Sequence, residues 1–202
     1  MTLTAWLTIV GICALGAMSP GPSLAVVLKH TLSGGREKGI VTALAHSAGV
    51  GLYALICISG LAVVIFASET FFSVVQWLGA LYLVWLGIKG LLSQSKPNQM
   101  LPEVDAQTAA RDGFMIVFLN PKIAVFFIAL FSQVVGTDTT MAGKIIYAST
   151  AMVIDGVWYV IVARLFSNPR WLGILQAKAV WLNRLFGLVL IGLAGKLAAG
   201  LV

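Results

Sequence analysis

The chain has 202 residues, 59% of them hydrophobic and 10% charged, with a mean hydropathy of +0.98. Soluble domains carry roughly 25% charged residues, so this composition excludes a separate soluble catalytic domain and points to an integral membrane protein. The net charge of +6 would suit a nucleic-acid partner, but in a chain this apolar it marks cytoplasmic loops instead.

A span needs about 20 apolar residues, and six such segments are expected, at about 4–28, 40–66, 70–92, 113–135, 144–166 and 180–201. The first has no charged leader and no small-residue cleavage motif before Pro20, so it reads as a span and not as a removable signal. It carries a helix-breaking motif, Ser19-Pro20-Gly21-Pro22-Ser23. The second holds the ladder Gly39, Ala43, Ser47 and Gly51, a small-xxx-small face on which helix backbones approach closely. Packing within the bundle or a homodimer seam would both use it. His46 lies beside the ladder; an imidazole there could relay protons, or it packs as a hydrogen-bonded core residue. The third span carries Gly79 and Gly87, with Lys89 at its end.

A polar connection at about 93–112 follows, containing Lys96-Pro97-Asn98, Glu103, Asp105, Arg111 and Asp112. It divides a first repeat, about 1–92, from a second, about 113–202. The fourth span is interrupted by Asn120-Pro121-Lys122. The run after this break, Pro121-Lys122-Ile123-Ala124-Val125, resembles Pro22-Ser23-Leu24-Ala25-Val26 after the first. The fifth span has Asp155 near its middle, and the sixth has Gly187 and Gly195 at the spacing of Gly79 and Gly87. The cysteines, Cys13 and Cys57, lie in apolar segments and read as small packing residues. No Cys/His cluster has metal-ligand spacing, and neither a metal nor a cofactor is expected.

Positive charge sets the orientation. Lys29, Arg36 and Lys38 occupy the first connection, Lys89, Lys96 and Arg111 the third, and Arg164, Arg170, Lys178 and Arg184 the fifth. The second has Glu69, and the fourth has Asp138 balanced by Lys144. Basic connections belong on the cytoplasmic side, which puts both termini outside. Three spans per half make the halves antiparallel, as in transporters built from inverted repeats, where paired interruptions point to the binding site. The expected fold is therefore an all-α bundle of six transmembrane helices in two inverted three-helix repeats, the first and fourth broken at the Pro motifs. Residue counting leaves one mismatch, with Pro22 late in its span and Pro121 early in its own, unless the fourth helix starts near 105–111.

Ionisable groups inside a span are functional hypotheses by default. Asp155 could couple protons, accept a substrate ammonium, or pair structurally with a Lys or Asn. Lys122 could attract a substrate carboxylate, pair with Asp155, or snorkel to the interface. Asn120 suits a helix cap and Pro121 a first helical position, and the N–H groups of the restarting helix form an anion site. Ser19 and Ser23 could serve similarly around Pro20-Gly21-Pro22.

Taken together the motifs resemble the lysine exporter superfamily, and within it the homoserine/threonine exporter type (LysE/RhtB). The matching residues are Ser19-Pro20-Gly21-Pro22, Gly35-Arg36-Glu37-Lys38-Gly39, the run Leu78 to Lys89, Gly113-Phe114, Asn120-Pro121-Lys122, Asp155 with Trp158-Tyr159, and Leu185-Phe186-Gly187. The resemblance covers essentially the whole chain. It implies an exporter of amino acids or close derivatives in the bacterial inner membrane, driven by protons, and not an enzyme. The chain departs from the family pattern at Ala45-His46 and at Phe131-Ser132-Gln133. The runner-up is a divalent-cation exporter of the same superfamily, which lacks clustered ligands here; a non-transport membrane subunit would leave Asp155 and the paired breaks unexplained.

Overall fold

The computed structural model describes residues 3–19, 21–67, 69–92, 105–136 and 139–199. Pro20, Lys96-Pro97-Asn98, Glu103 and Asp138 lie outside them. Among the described residues the regular structure is entirely helical: α1 (Leu3–Met18), α2 (Pro22–Ala67), α3 (Glu69–Leu91), α4 (Ala106–Leu119), α5 (Pro121–Phe131), α6 (Met141–Phe166) and α7 (Pro169–Ala199).

The third and fifth expected spans coincide with α3 and α6 to within three residues. Elsewhere the helices run further than hydropathy suggested. At 46 residues, α2 would be about 70 Å long if straight, more than twice the bilayer core of about 30 Å. It bends at Gly35, whose φ of 77° and ψ of 178° fall where only glycine is unstrained. The expected loop between the first two spans is thus helix on both sides of one glycine. The connection expected to reach residue 112 turns helical at Ala106, where the Asp105 carboxylate accepts the Thr108 N–H at 2.6 Å. That bond holds its carboxyl below the usual range. The helix of the sixth expected span, α7, starts at Pro169 and not near 180, with the Asn168 side chain accepting the Arg170 N–H at 3.0 Å.

Small residues set the helix pairings. A Cβ on Gly51 would lie 2.8 Å from Met152 Sδ, and one on Gly39 would lie 3.0 Å from Ala163 Cβ. These contacts run in opposite chain directions, so α2 and α6 are antiparallel. The ladder of the second span is therefore filled by α6 of the same chain and is not a seam between two copies. Gly87 and Gly187 cross so closely that a Cβ on either would sit 2.5–2.7 Å from the other's carbonyl oxygen, and α3 and α7 are antiparallel too. Parallel pairs flank these: α4 lies along α2, with Gly113 against the Thr42 carbonyl, and α1 lies along α6, with Trp6 Nε1 donating to Thr150 Oγ1 at 3.1 Å. The outward faces are apolar at helical spacing. Leu44, Leu52 and Ile56 on α2, and Val153, Val157 and Ile161 on α6, are exposed, whereas Ala43, His46, Ser47 and Val50 face inward. An apolar exterior around a small and polar interior suits a hydrocarbon surround.

Candidate functional site

Two chain interruptions lie next to each other at the centre of the bundle. α1 ends at Met18 and α2 restarts at Pro22; α4 ends at Leu119 and α5 restarts at Pro121 after a bend of 58°. Asn120 Nδ2 donates to Ser23 Oγ at 3.3 Å, and the Lys122 ammonium donates to Ser19 Oγ. The breaks therefore sit side by side. The early start of α4 removes the mismatch that residue counting left between Pro22 and Pro121.

The two restarting helices differ at their N-termini. Asn120 caps α5 with its own side chain, accepting the Lys122 N–H at 3.1 Å, and its carbonyl takes the Ile123 N–H at 3.0 Å. Those donors are occupied, so the anion site expected at Pro121 is closed by Asn120 itself. At α2 the Ala25 N–H donates to the Gly21 carbonyl at 3.0 Å. Gly21 precedes that helix and has no side chain to compete with an incoming anion.

A cavity of about 60 Å³ opens between the breaks. Its polar wall includes Ser19, Ser23, Asn120, Lys122, His46 and Asp155. His46 Nδ1 and Asp155 Oδ2 pair at 2.7 Å, with both residues buried. His46, and not Lys122, is the partner of Asp155. Lys122 does not snorkel to an interface but turns across the cavity towards Ser19 and Gly21. The second imidazole nitrogen, His46 Nε2, is buried with no hydrogen-bond partner among the described residues. Tyr159 stands edge-on to the His46 ring, with centroids 4.9 Å apart, and is hydrogen-bonded to Ser23. It therefore ties the Asp155–His46 pair to the first break. Its place in the site was hidden in the sequence, where Trp158-Tyr159 stood only as part of a motif.

All the site residues expected from the sequence that the structure describes thus converge on this cavity. Gly21 lines it, and Pro22 and Pro121 open the helices that end there. A second polar cluster went unanticipated. The wholly buried His30 reaches Asp112 Oδ2 through Nε2 at 3.1 Å, and Lys29 Nζ meets the same oxygen at 3.4 Å. It ties the start of α2 to α4. Among the described residues no group of three His, Cys, Asp or Glu could hold a metal ion.

Residues 14–200 match a family model described as LysE type translocator. Over 204 aligned positions the chain is 27% identical to the threonine efflux protein of Escherichia coli (strain K12), spanning 98% of this chain and 95% of that protein. It is 29% identical to the leucine efflux protein of Enterobacter sp. (strain 638), with 98% and 96% covered. No solved structure matches the chain.

Proposed function

The chain belongs to the LysE type translocator family, and from that premise we propose that it exports amino acids across the bacterial inner membrane in exchange for protons. As a member of this family it is a transporter and not an enzyme. The observation that carries the proposal is one small cavity, set between two helix breaks, with a lysine from α5 and an aspartate from α6 in its wall. An amino acid is a zwitterion and asks for both charges. Relatives named for threonine and leucine efflux support this substrate class.

In this reading Lys122 and the N-terminal turn of α2 hold the substrate carboxylate. A cation and a helix N-terminus both favour an anion in a water-poor cavity. Asp155 holds the ammonium. A proton bound at the Asp155–His46 pair weakens that hold, so proton and substrate compete for one carboxylate and their movements are linked. The open Nε2 of His46 gives the proton a second place to sit. The cytoplasm is the loading side, and both termini lie outside.

The helix pairings support two inverted repeats of three spans, with α1 plus the start of α2 as the first broken span and α4 plus α5 as its counterpart. Exchanging α1 with α4, the long part of α2 with α6, and α3 with α7 maps the antiparallel pairs α2–α6 and α3–α7 onto themselves. It turns the parallel pair α1–α6 into the parallel pair α4–α2. Efflux from proteoliposomes loaded with a panel of amino acids, with and without a pH gradient, tests the proposal. Gradient-stimulated efflux of at least one amino acid is expected; equal rates from protein-free vesicles would sink it.

A further inference from the structure

The site has an apolar end as well as a polar one. Beyond the breaks the cavity is walled by Gly16 and Ala17 of α1, Val50 of α2, and Ile123, Phe126 and Phe127 of α5. The two neighbouring phenylalanines do different things. Phe127 is built into an aromatic row, with ring centroids 5.2 Å from Phe131 and 6.4 Å from Tyr53. Phe126 instead reaches across to α1 and stands end-on against Gly16. A Cβ built on Gly16 would lie 2.8 Å from the ring's Cζ and 3.3 and 3.4 Å from its two Cε atoms. Only a residue without a side chain at position 16 leaves room for the ring, so the ring and the glycine together form the end wall.

The space left over is small. A water needs about 10–15 Å³ of such volume, so a cavity of about 60 Å³ admits roughly four to six waters. At about 30 Å³ of liquid per water that is about 120–180 Å³, so the room left for a side chain beyond the polar wall is set by where the Phe126 ring stands. We infer that Phe126, seated on Gly16, sets the upper limit on the side chain of the transported amino acid. This rests on the exporter reading and adds the substrate class: uncharged side chains, limited in length by the ring. Charged side chains are excluded by the same wall, which offers an incoming side chain apolar groups alone. Shortening Phe126 joins a ring-sized void to the cavity and moves that limit upwards.

The test uses the full chain in proteoliposomes and measures kcat/KM for labelled alanine and leucine. One methylene of fit is worth about 10- to 200-fold in discrimination, so Phe126→Ala is expected to raise the leucine-to-alanine ratio at least about tenfold. Phe126→Leu, which keeps more of the packing, is expected to move it the same way by less. Gly16→Ala pushes against the ring and is expected to lower alanine transport, and Gly16→Ala combined with Phe126→Leu recovers it. An unchanged ratio in both Phe126 variants, with the wild type moving alanine, overturns this inference alone. A Gly16→Ala loss that Phe126→Leu does not relieve overturns it as well. A wild type that moves neither alanine nor leucine but moves another amino acid of the panel overturns this inference alone, and one that moves none of the panel overturns the exporter reading with it.

Discussion

Asp155→Asn separates substrate binding from proton coupling. The substitution keeps the size and shape of the side chain, and the amide oxygen can still accept from His46 Nδ1 at the observed 2.7 Å, so the packing of α2 on α6 is expected to survive. What disappears is the titratable charge. One pH unit corresponds to about 1.36 kcal/mol per proton, a tenfold concentration ratio. With the membrane potential clamped at zero, a lumen one unit more acidic than the bath therefore drives wild-type protein to concentrate substrate in the lumen up to about tenfold per exchanged proton. Asp155→Asn is expected to bring that ratio to 1. Losing the charge-assisted contact of about 1.5–3 kcal/mol to the ammonium raises KM for exchange by about 10- to 150-fold. The assay is uptake of labelled substrate into acid-loaded proteoliposomes, with counterflow at equal pH as the control for a folded, substrate-binding protein. A variant that still concentrates substrate as the wild type does would refute the placement of the coupling proton on the Asp155–His46 pair.

Three further outcomes follow from the same geometry. Lys122→Met is expected to raise KM for amino acids by about 10- to 150-fold through loss of a charge-assisted bond to the carboxylate, while inhibition by an amine lacking a carboxylate stays unchanged; equal losses for both ligands would remove Lys122 from carboxylate binding. Gly113→Ala sets a Cβ 2.4 Å from the Thr42 carbonyl oxygen, and overpacking of this kind costs about 1–3 kcal/mol. Thermal unfolding in detergent is expected to shift downwards by about 2–4 °C for each kcal/mol, and an unshifted transition would contradict the close approach of α4 to α2. Gly35→Ala forces a side chain into a backbone conformation, φ 77° and ψ 178°, that is essentially confined to glycine, at a cost of about 1–3 kcal/mol, lowering stability although a Cβ there meets nothing within 4 Å; a neutral result would mean that the bend lies elsewhere.

Hydropathy found the helices whose ends coincide with the ends of apolar sequence, as for α3 and α6, and missed those that continue into polar sequence. Asp105 to Asp112 read as a connection because five of the eight residues are polar or charged, yet Asp105 and Thr108 are a helix cap and the residues after them are the first turns of α4. Asn168-Pro169 carried the same kind of signal, a cap residue before a proline, and would have moved the start of α7 back by eleven residues from about 180. The stretch around Gly35 read as the first connection because Lys29, Arg36 and Lys38 separate two apolar segments, whereas a single rotated glycine between two helices was enough. In the site, the residue types were legible and their partners were not. Asp155 and His46 are 109 positions apart, and which turn of α6 faces which turn of α2 depends on the seating of Ser47 against Gly156 and of Met152 against Gly51.

The paired breaks could be seen in the sequence for the reason that makes them a site. A freed backbone or polar group in hydrocarbon costs several kcal/mol unless it faces protein or a wet cavity. One isolated break would need a polar partner from elsewhere in the bundle. Here each break supplies partners to the other: Asn120 reaches Ser23, and Lys122 reaches Ser19. The polar residues around the two prolines are therefore matched across the bundle as well as along the chain, and the arrangement leaves Lys122 and Asp155 on the wall of a single cavity. A lone proline kink would carry neither the matched residues nor the charges. This is why Ser19-Pro20-Gly21-Pro22-Ser23 and Asn120-Pro121-Lys122 together point to a shared polar cavity where either motif alone would point only to a bend.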